Sequence, residues 1–261
     1  MKILSLFDGI SCGMVAFERA GVPVTEYHAC EIDKYAIQVS QKNYPQIVRH
    51  GSVVDYHPDR HFDYLIGGSP CQGFSTAGKC LAFDDPRSKL FFEYVRILNE
   101  CRSINPNIKF LLENVRMKKE HLDVISEQLG VEPMRINSAL VSAQNRVRYY
   151  WTNWETNQPQ DRGVSLKNII GENIKSGARR SRGDEVRKDD KANALLSGGH
   201  QSRWLAKDGR LFRKMTPEEC EKLQTIPVGY TSGVPDVHRY KTIGDGWTVD
   251  VIAHILKSSK E

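Results

Sequence analysis

Short β-rich runs alternate with helical patterns through the first 150 residues, and no other feature restricts the fold as strongly. The runs Lys2–Phe7, Val24–Cys30, Phe62–Ile66 and Ile108–Leu112 are rich in branched and aromatic residues. Between and after them, Ser11–Ala20, Lys34–Asn43, Ser88–Cys101 and Met117–Leu129 space their apolar residues as helices do. Strands joined through helices of this length form βαβ units and a mostly parallel sheet with helices on both faces. Two more strand-like runs follow, Met134–Val141 and Val147–Trp154. The expected class is α/β with a Rossmann-like sheet.

After Trp154 the pattern breaks up: Asn157–Gly163 and Gly171–Asp190 are polar and rich in Gly, Arg and Asp. Regular signals return at Thr216-Pro217-Glu218-Glu219. This has the spacing of a capping box with proline at the first helical position, and predicts a helix to about Leu223. A last amphipathic helix is expected over 248–256. The reading is an α/β body of residues 1–155 and 213–261, carrying a small insert at 156–212. The charge is uneven. The chain carries +5 overall, yet residues 176–214 alone hold eleven Lys/Arg against five Asp/Glu. One basic segment on a near-neutral body suggests a polyanion partner; a solvated loop of mixed charge is the plain alternative.

Several classes are excluded. With 39% hydrophobic and 26% charged residues, the composition is neither disordered nor fibrous. No apolar run approaches the roughly 18 residues of a membrane helix. The run Ile3–Phe7 is cut at Asp8, too early for a secretory leader. The six cysteines form no CxxC or CxxxC pair, so free thiols in a reducing compartment are expected, and no metal. A soluble intracellular protein is expected, with a monomer favoured.

Four stretches could carry chemistry. A glycine turn, Phe7-Asp8-Gly9-Ile10-Ser11-Cys12-Gly13, leaves the first strand and opens a helix, where doubly wound sheets bind nucleotides. Its spacing is not GxGxxG, so phosphate binding is not implied, and a plain strand–helix turn is the alternative. Glu31 ends the second run, where an acid can accept both hydroxyls of a ribose or simply start the next helix. The stretch Gly67-Gly68-Ser69-Pro70-Cys71-Gln72-Gly73-Phe74-Ser75 holds one cysteine in a loop whose neighbours cannot bury it. A loop thiol near cations can attack as thiolate, whereas the other five cysteines read as inert small hydrophobes. Glu113 closes the apolar run Leu111-Leu112 and could act as an acid or cap a helix. In Gln144-Asn145-Arg146-Val147-Arg148, strand alternation would put Gln144, Arg146 and Arg148 on one face, suited to an anion or to protecting a sheet edge.

Taken in order, Phe-Asp-Gly-x-x-x-Gly, an acid after strand two, Pro-Cys-Gln in a loop, Glu-Asn-Val and Gln-x-Arg-x-Arg resemble the DNA (cytosine-5) methyltransferases. Ser88–Leu98 and Thr216–Tyr230 resemble further family segments, so the likeness covers nearly everything but the insert. Gly244-Asp245-Gly246-Trp247 is similar to the Trp-containing form of the mammalian de novo enzymes. The resemblance implies a sheet that binds S-adenosyl-L-methionine, with a small target-recognition insert. It implies a catalytic set of Cys71, Glu113, Arg146 and Arg148. Phe7, Asp8, Gly9, Glu31, Ile32, Ser52, Val53, Pro70, Leu90 and Trp247 would line the cofactor pocket. It implies double-stranded DNA as partner, a target base flipped from the helix, no metal, and the cytoplasm of a prokaryotic or phage-infected cell. Where the family usually carries an Asp for the adenine amino group, this chain has Ser52, with Asp55 three residues on. In the insert, Arg179, Arg180 and Arg182 are expected on phosphates, and Arg203 and Lys207, beside Trp204, toward the groove. An RNA-methylating branch would show Pro-Pro-Cys-Gln and Cys-Phe-Thr, which this chain lacks. A silent DNA-binding homologue is opposed by the presence of Cys71, Glu113, Arg146 and Arg148.

Overall fold

A computed structural model describes residues 1–70, 89–198 and 200–260. The strands of the body are β1 (Lys2–Leu6), β2 (Glu26–Cys30), β3 (Val48–Gly51), β4 (Tyr64–Gly67), β5 (Lys109–Val115), β6 (Met134–Asn137), β7 (Gln144–Asn145) and β8 (Val147–Thr152). Its helices are α1 (Cys12–Ala20), α2 (Lys34–Asn43), α3 (Lys89–Ile104), α4 (Lys119–Leu129), α5 (Pro217–Leu223), α6 (Asp236–Asp245) and α7 (Val249–Ser258). All but β7 of these strands form one sheet in the order β3-β2-β1-β4-β5-β8-β6. The first five run parallel, and β8 lies antiparallel between β5 and β6.

Central parallel strands are buried on both faces, which is why they read as unbroken apolar runs. Along β1, Ile3 packs with residues of α1, α2 and α7, while Leu4 and Leu6 pack with residues of α3 and α4. Helix α7 buries Val251, Ile252, Ile255 and Leu256, each contributing about 1.5–3 kcal/mol relative to an exposed side chain. Among the described residues, no helix is long and apolar enough to cross a membrane.

The sheet order reverses at β1. The chain leaves it toward β2 and β3, then crosses back to β4 on its other side. Loops leaving β1 and β4 therefore diverge at the carboxyl edge and open a crevice between them. Helix boundaries follow local chemistry: Asp33 caps α2 by accepting from the Tyr35 and Ala36 amides, and Thr216 with Glu219 closes the expected capping box on α5.

Three parts depart from the sequence pattern. Strand β3 is a polar edge strand with a bulge opposite Ala29 and Cys30, so it lacks apolar alternation. The run from Met134 stops at Asn137, whose side chain caps a 3-10 turn by accepting from the Ala139 amide. Helix α6 buries few apolar groups; Arg239 instead pairs with Glu218 and the fully buried Glu221. Within residues 175–214 lies a small antiparallel sheet of β9 (Lys175–Arg180), β10 (Gly183–Val186), β12 (Trp204–Lys207) and β13 (Arg210–Lys214), in the order β10-β9-β12-β13. Between its two hairpins, β11 (Ala192–Asn193) pairs with β7 and joins this sheet to the body.

Candidate active site

The turn after β1 is built in strained backbone. Phe7 and Ser11 both take left-handed angles (φ 56° and 60°), which cost a bulky residue about 1–3 kcal/mol. Asp8 fixes the turn, accepting from the Ser11 hydroxyl at 2.5 Å and from the Tyr27 hydroxyl at 2.8 Å. Burial raises the Asp8 carboxyl to about 6, opposed by its bonds to Ser11, Ser5 and Tyr27. The Gly9 amide donates to Glu31 Oε2 at 2.7 Å, and Glu31 Oε1 accepts from the Ile32 and Asp33 amides at 2.8 Å each. A carboxylate offers about four acceptor positions, so Oε2 can still take a further donor.

The chain leaving β4 is pressed against two other elements. A Cβ on Gly68 would stand 3.0 Å from both Glu113 Oε2 and Trp247 Nε1, so the glycine lets this loop pass between them without displacing either side chain. Buried Asn114 donates through Nδ2 to Ser69 Oγ at 3.1 Å and anchors the loop that leads to Cys71. Cys71 itself lies outside the described residues. Glu113 is not surrounded by apolar groups alone: Arg148 Nε sits 2.9 Å from its Oε1.

The two arginines do not share one strand face. The chain breaks at Arg146, because Gln144 and Asn145 pair with β11 while Val147 onward joins the main sheet. Arg146 is 3% exposed, and its guanidinium donates to the carbonyls of Leu195 (2.6 Å), Gly244 (3.2 Å) and Gly246 (3.0 Å). Gln144 is buried beside it, accepting from the Leu195 amide at 2.7 Å. Arg146 thus clamps backbone, and Arg148 meets the carboxylate.

These residues surround one cavity of about 410 Å³. Its wall includes Phe7, Asp8, Gly9, Glu31, Ile32, Ser52, Val53, Pro70, Leu90, Glu113, Arg146, Arg148 and Trp247, so every catalytic and cofactor residue expected from sequence lies here apart from Cys71. Asp55 is exposed and outside that lining, while Ser52 faces it with Gly51 and Val53.

The C-5 cytosine-specific DNA methylase family matches residues 1–150 and 129–261. The chain belongs to that family. As a DNA cytosine methyltransferase it is 30% identical to type II methyltransferase M1.ScrFI of Lactococcus lactis subsp. cremoris, over 100% of this chain and 78% of the relative. It is 29% identical to type II methyltransferase M.NlaX of Neisseria lactamica, over 99% and 96%. In structure it is similar to a putative DNA modification methyltransferase encoded in an E. coli prophage, with a TM-score of 0.70 at 19% identity, covering 100% and 98%.

Other residues of this methyltransferase's cavity were not singled out from sequence. Asn114 stood in the Glu-Asn-Val motif, which was the available signal. Lys241 and Thr242 arrive from α6, and Leu196 and Ser197 from the insert, and neither segment carried a regular pattern. Arg203 is not directed at a groove: it is 3% exposed and stacks on the Tyr240 ring at 3.8 Å. Arg179 stacks on Trp204 at 4.2 Å and pairs with Asp184, and Arg180 pairs with Glu185, so both are engaged within the insert.

Proposed function

We propose that this enzyme transfers a methyl group from S-adenosyl-L-methionine to C5 of cytosine in double-stranded DNA, through a covalent Cys71 adduct on a flipped-out base. One observation carries the reading: a single cavity joins Phe7, Glu31, Ser52 and Trp247 to Glu113 and Arg148, with Pro70 on its wall leading straight into Cys71. The donor set fits the cofactor. Glu31 keeps an acceptor position for a ribose hydroxyl, Ser52 offers a hydroxyl toward adenine, and Phe7 and Trp247 supply aromatic wall.

S-adenosyl-L-methionine bound there supplies the electrophilic sulfonium methyl that C5 attacks. C5 of cytosine is a poor nucleophile until the Cys71 thiolate adds at C6 and leaves an enamine carbon. Glu113 holds N3 by hydrogen bond or protonation, so the charge of addition is met there. Arg148 fixes the Glu113 carboxylate, and Asn114 with Ser69 anchors the loop that carries the thiol. Methyl transfer leaves S-adenosylhomocysteine, and loss of the C5 proton to water then returns its electron pair to the ring and expels the Cys71 thiolate. A paired base cannot be reached in this way, so it must leave the stack. The insert then grips phosphates and reads the groove, and the enzyme works in the cytoplasm of a prokaryotic or phage-infected cell, beside a restriction enzyme or alone. Bisulfite mapping of DNA from a methylation-free host expressing the chain tests the reading. Methylated cytosine in one sequence context is expected, and unmodified DNA with modified RNA would overturn it.

A further inference from the structure

We propose that Leu196 enters the duplex as an apolar wedge beside the base taken into the cavity, on a loop that Gln144 and Arg146 hold rigid. The proposal rests on the DNA methyltransferase reading and adds the element that keeps the base outside the stack.

Leu195 and Leu196 are neighbours with opposite fates. Leu195 is 2% exposed, its amide bonded to Gln144 and its carbonyl to Arg146. Leu196 is 50% exposed and stands on the cavity wall with Ser197. The same backbone is pinned from a second side. A Cβ on Gly244 would lie 2.5 Å from both the Leu196 carbonyl carbon and the Ser197 nitrogen, so two chain segments pass in direct contact. Arg146 also holds the Gly244 and Gly246 carbonyls, and the next residue, Trp247, abuts Gly68 beside Glu113. Leu196 is thereby tied to the Glu113 side of the cavity through the hydrogen bonds of Arg146, the Gly246–Trp247 backbone and the close packing of Trp247 and Glu113 about Gly68.

An isolated exposed leucine is ordinary on a protein surface. This one differs because its backbone is locked while its side chain stands at the mouth of a cavity that must receive a base. Taking a base out of a duplex leaves an unstacked gap, and proteins that distort DNA fill such gaps with apolar side chains. Leucine carries no hydrogen-bonding group, so it can occupy the gap next to any neighbouring pair. Ser197 and Gly198 follow it in a turn.

The test uses the full chain with S-adenosylhomocysteine and a duplex carrying 2-aminopurine, paired with thymine, beside the cytosine found by bisulfite mapping. Wild type should raise the fluorescence as the base unstacks. Leu196→Ala should lower that signal and speed dissociation about tenfold, while Leu196→Met keeps both. Melting temperature should stay unchanged, because the side chain is half exposed. A mispaired target, already poorly stacked, should shrink the Leu196→Ala defect. Wild-type fluorescence and dissociation in Leu196→Ala would overturn the wedge alone, as would a defect of equal size on the mispaired duplex. Absence of methylation and of any fluorescence rise in wild type would overturn the DNA methyltransferase reading, and the wedge with it.

Discussion

Arg148 Nε lies 2.9 Å from Glu113 Oε1, and both side chains are almost closed to solvent. The pair joins β5 to antiparallel β8, where Glu113 faces Tyr150 and Val115 faces Arg148, so the arginine reaches back along the sheet to the carboxylate. A carboxylate held this way presents a fixed oxygen to the cavity, and the arginine balances its charge.

Glu113→Gln should cut methyl transfer by about 10²-fold or more, the lower range for loss of a positioned acid. S-adenosylhomocysteine affinity should change little. Breaking a fully buried pair costs about 3–5 kcal/mol, and less is expected here because both groups keep a little solvent. Adding Arg148→Gln to Glu113→Gln should restore part of the stability and none of the activity. Denaturant unfolding beside single-turnover rates would separate the two effects, and full activity in Glu113→Gln would remove the residue from the mechanism.

DNA with 5-fluorocytosine at the target should trap a covalent adduct with the wild-type chain, since the C5 fluorine is not lost as a proton is. Cys71→Ala should abolish it. Cys12 and Cys30 also line the cavity, yet burial pushes both thiols up to about 12. They stay protonated at neutral pH, so replacing either should leave trapping intact. Mass spectrometry of the adduct identifies the cysteine, and an adduct surviving in Cys71→Ala would sink the assignment.

Asp8 should leave a signature in the pH dependence of stability. Its carboxyl is raised from 3.8 to about 6, chiefly by burial, so between those values the folded protein binds more protons than the unfolded chain. Stability from this group is present below about pH 4 and is lost as pH rises through about 6. Asp8→Asn should therefore gain on wild type as pH rises from 4 to 7. The gain stays below the roughly 3 kcal/mol that such a shift corresponds to, since the side chain is only partly buried. Melting curves across that range provide the check, and a constant difference would mean the carboxyl ionises normally.

The family resemblance implies an aspartate at the position this chain gives to Ser52. Its hydroxyl accepts from the Val54 amide at 3.1 Å on the cavity wall. A charged acceptor bond is worth about 1.5–3 kcal/mol against 0.5–1.5 for a neutral one, so Ser52→Asp should tighten S-adenosylhomocysteine binding by at most about tenfold. Calorimetric titration decides it. Equal affinities for wild type, Ser52→Asp and Ser52→Ala would place residue 52 away from the adenine.

The sequence by itself determined the α/β class, the order of the central elements and most of the cavity wall. Unbroken apolar runs mark strands buried on both faces, and helical spacing marks a helix buried on one, as in β1, β5 and α7. Loop motifs such as Phe7-Asp8-Gly9 and Glu113-Asn114-Val115 sit at strand ends and line the cavity. Tertiary structure alone decided which partners these side chains meet. Alternation put Arg146 and Arg148 on one face, but the chain turns at Arg146, sending one guanidinium to three carbonyls and the other to Glu113. Arg203 is hydrophilic in sequence, yet it is buried over Tyr240. Leu196 reaches the cavity from a segment without any periodic pattern. The physical reason is common to all three. Periodicity records burial of apolar surface along one element, whereas hydrogen bonds and ion pairs between elements distant in sequence leave no regular spacing to read.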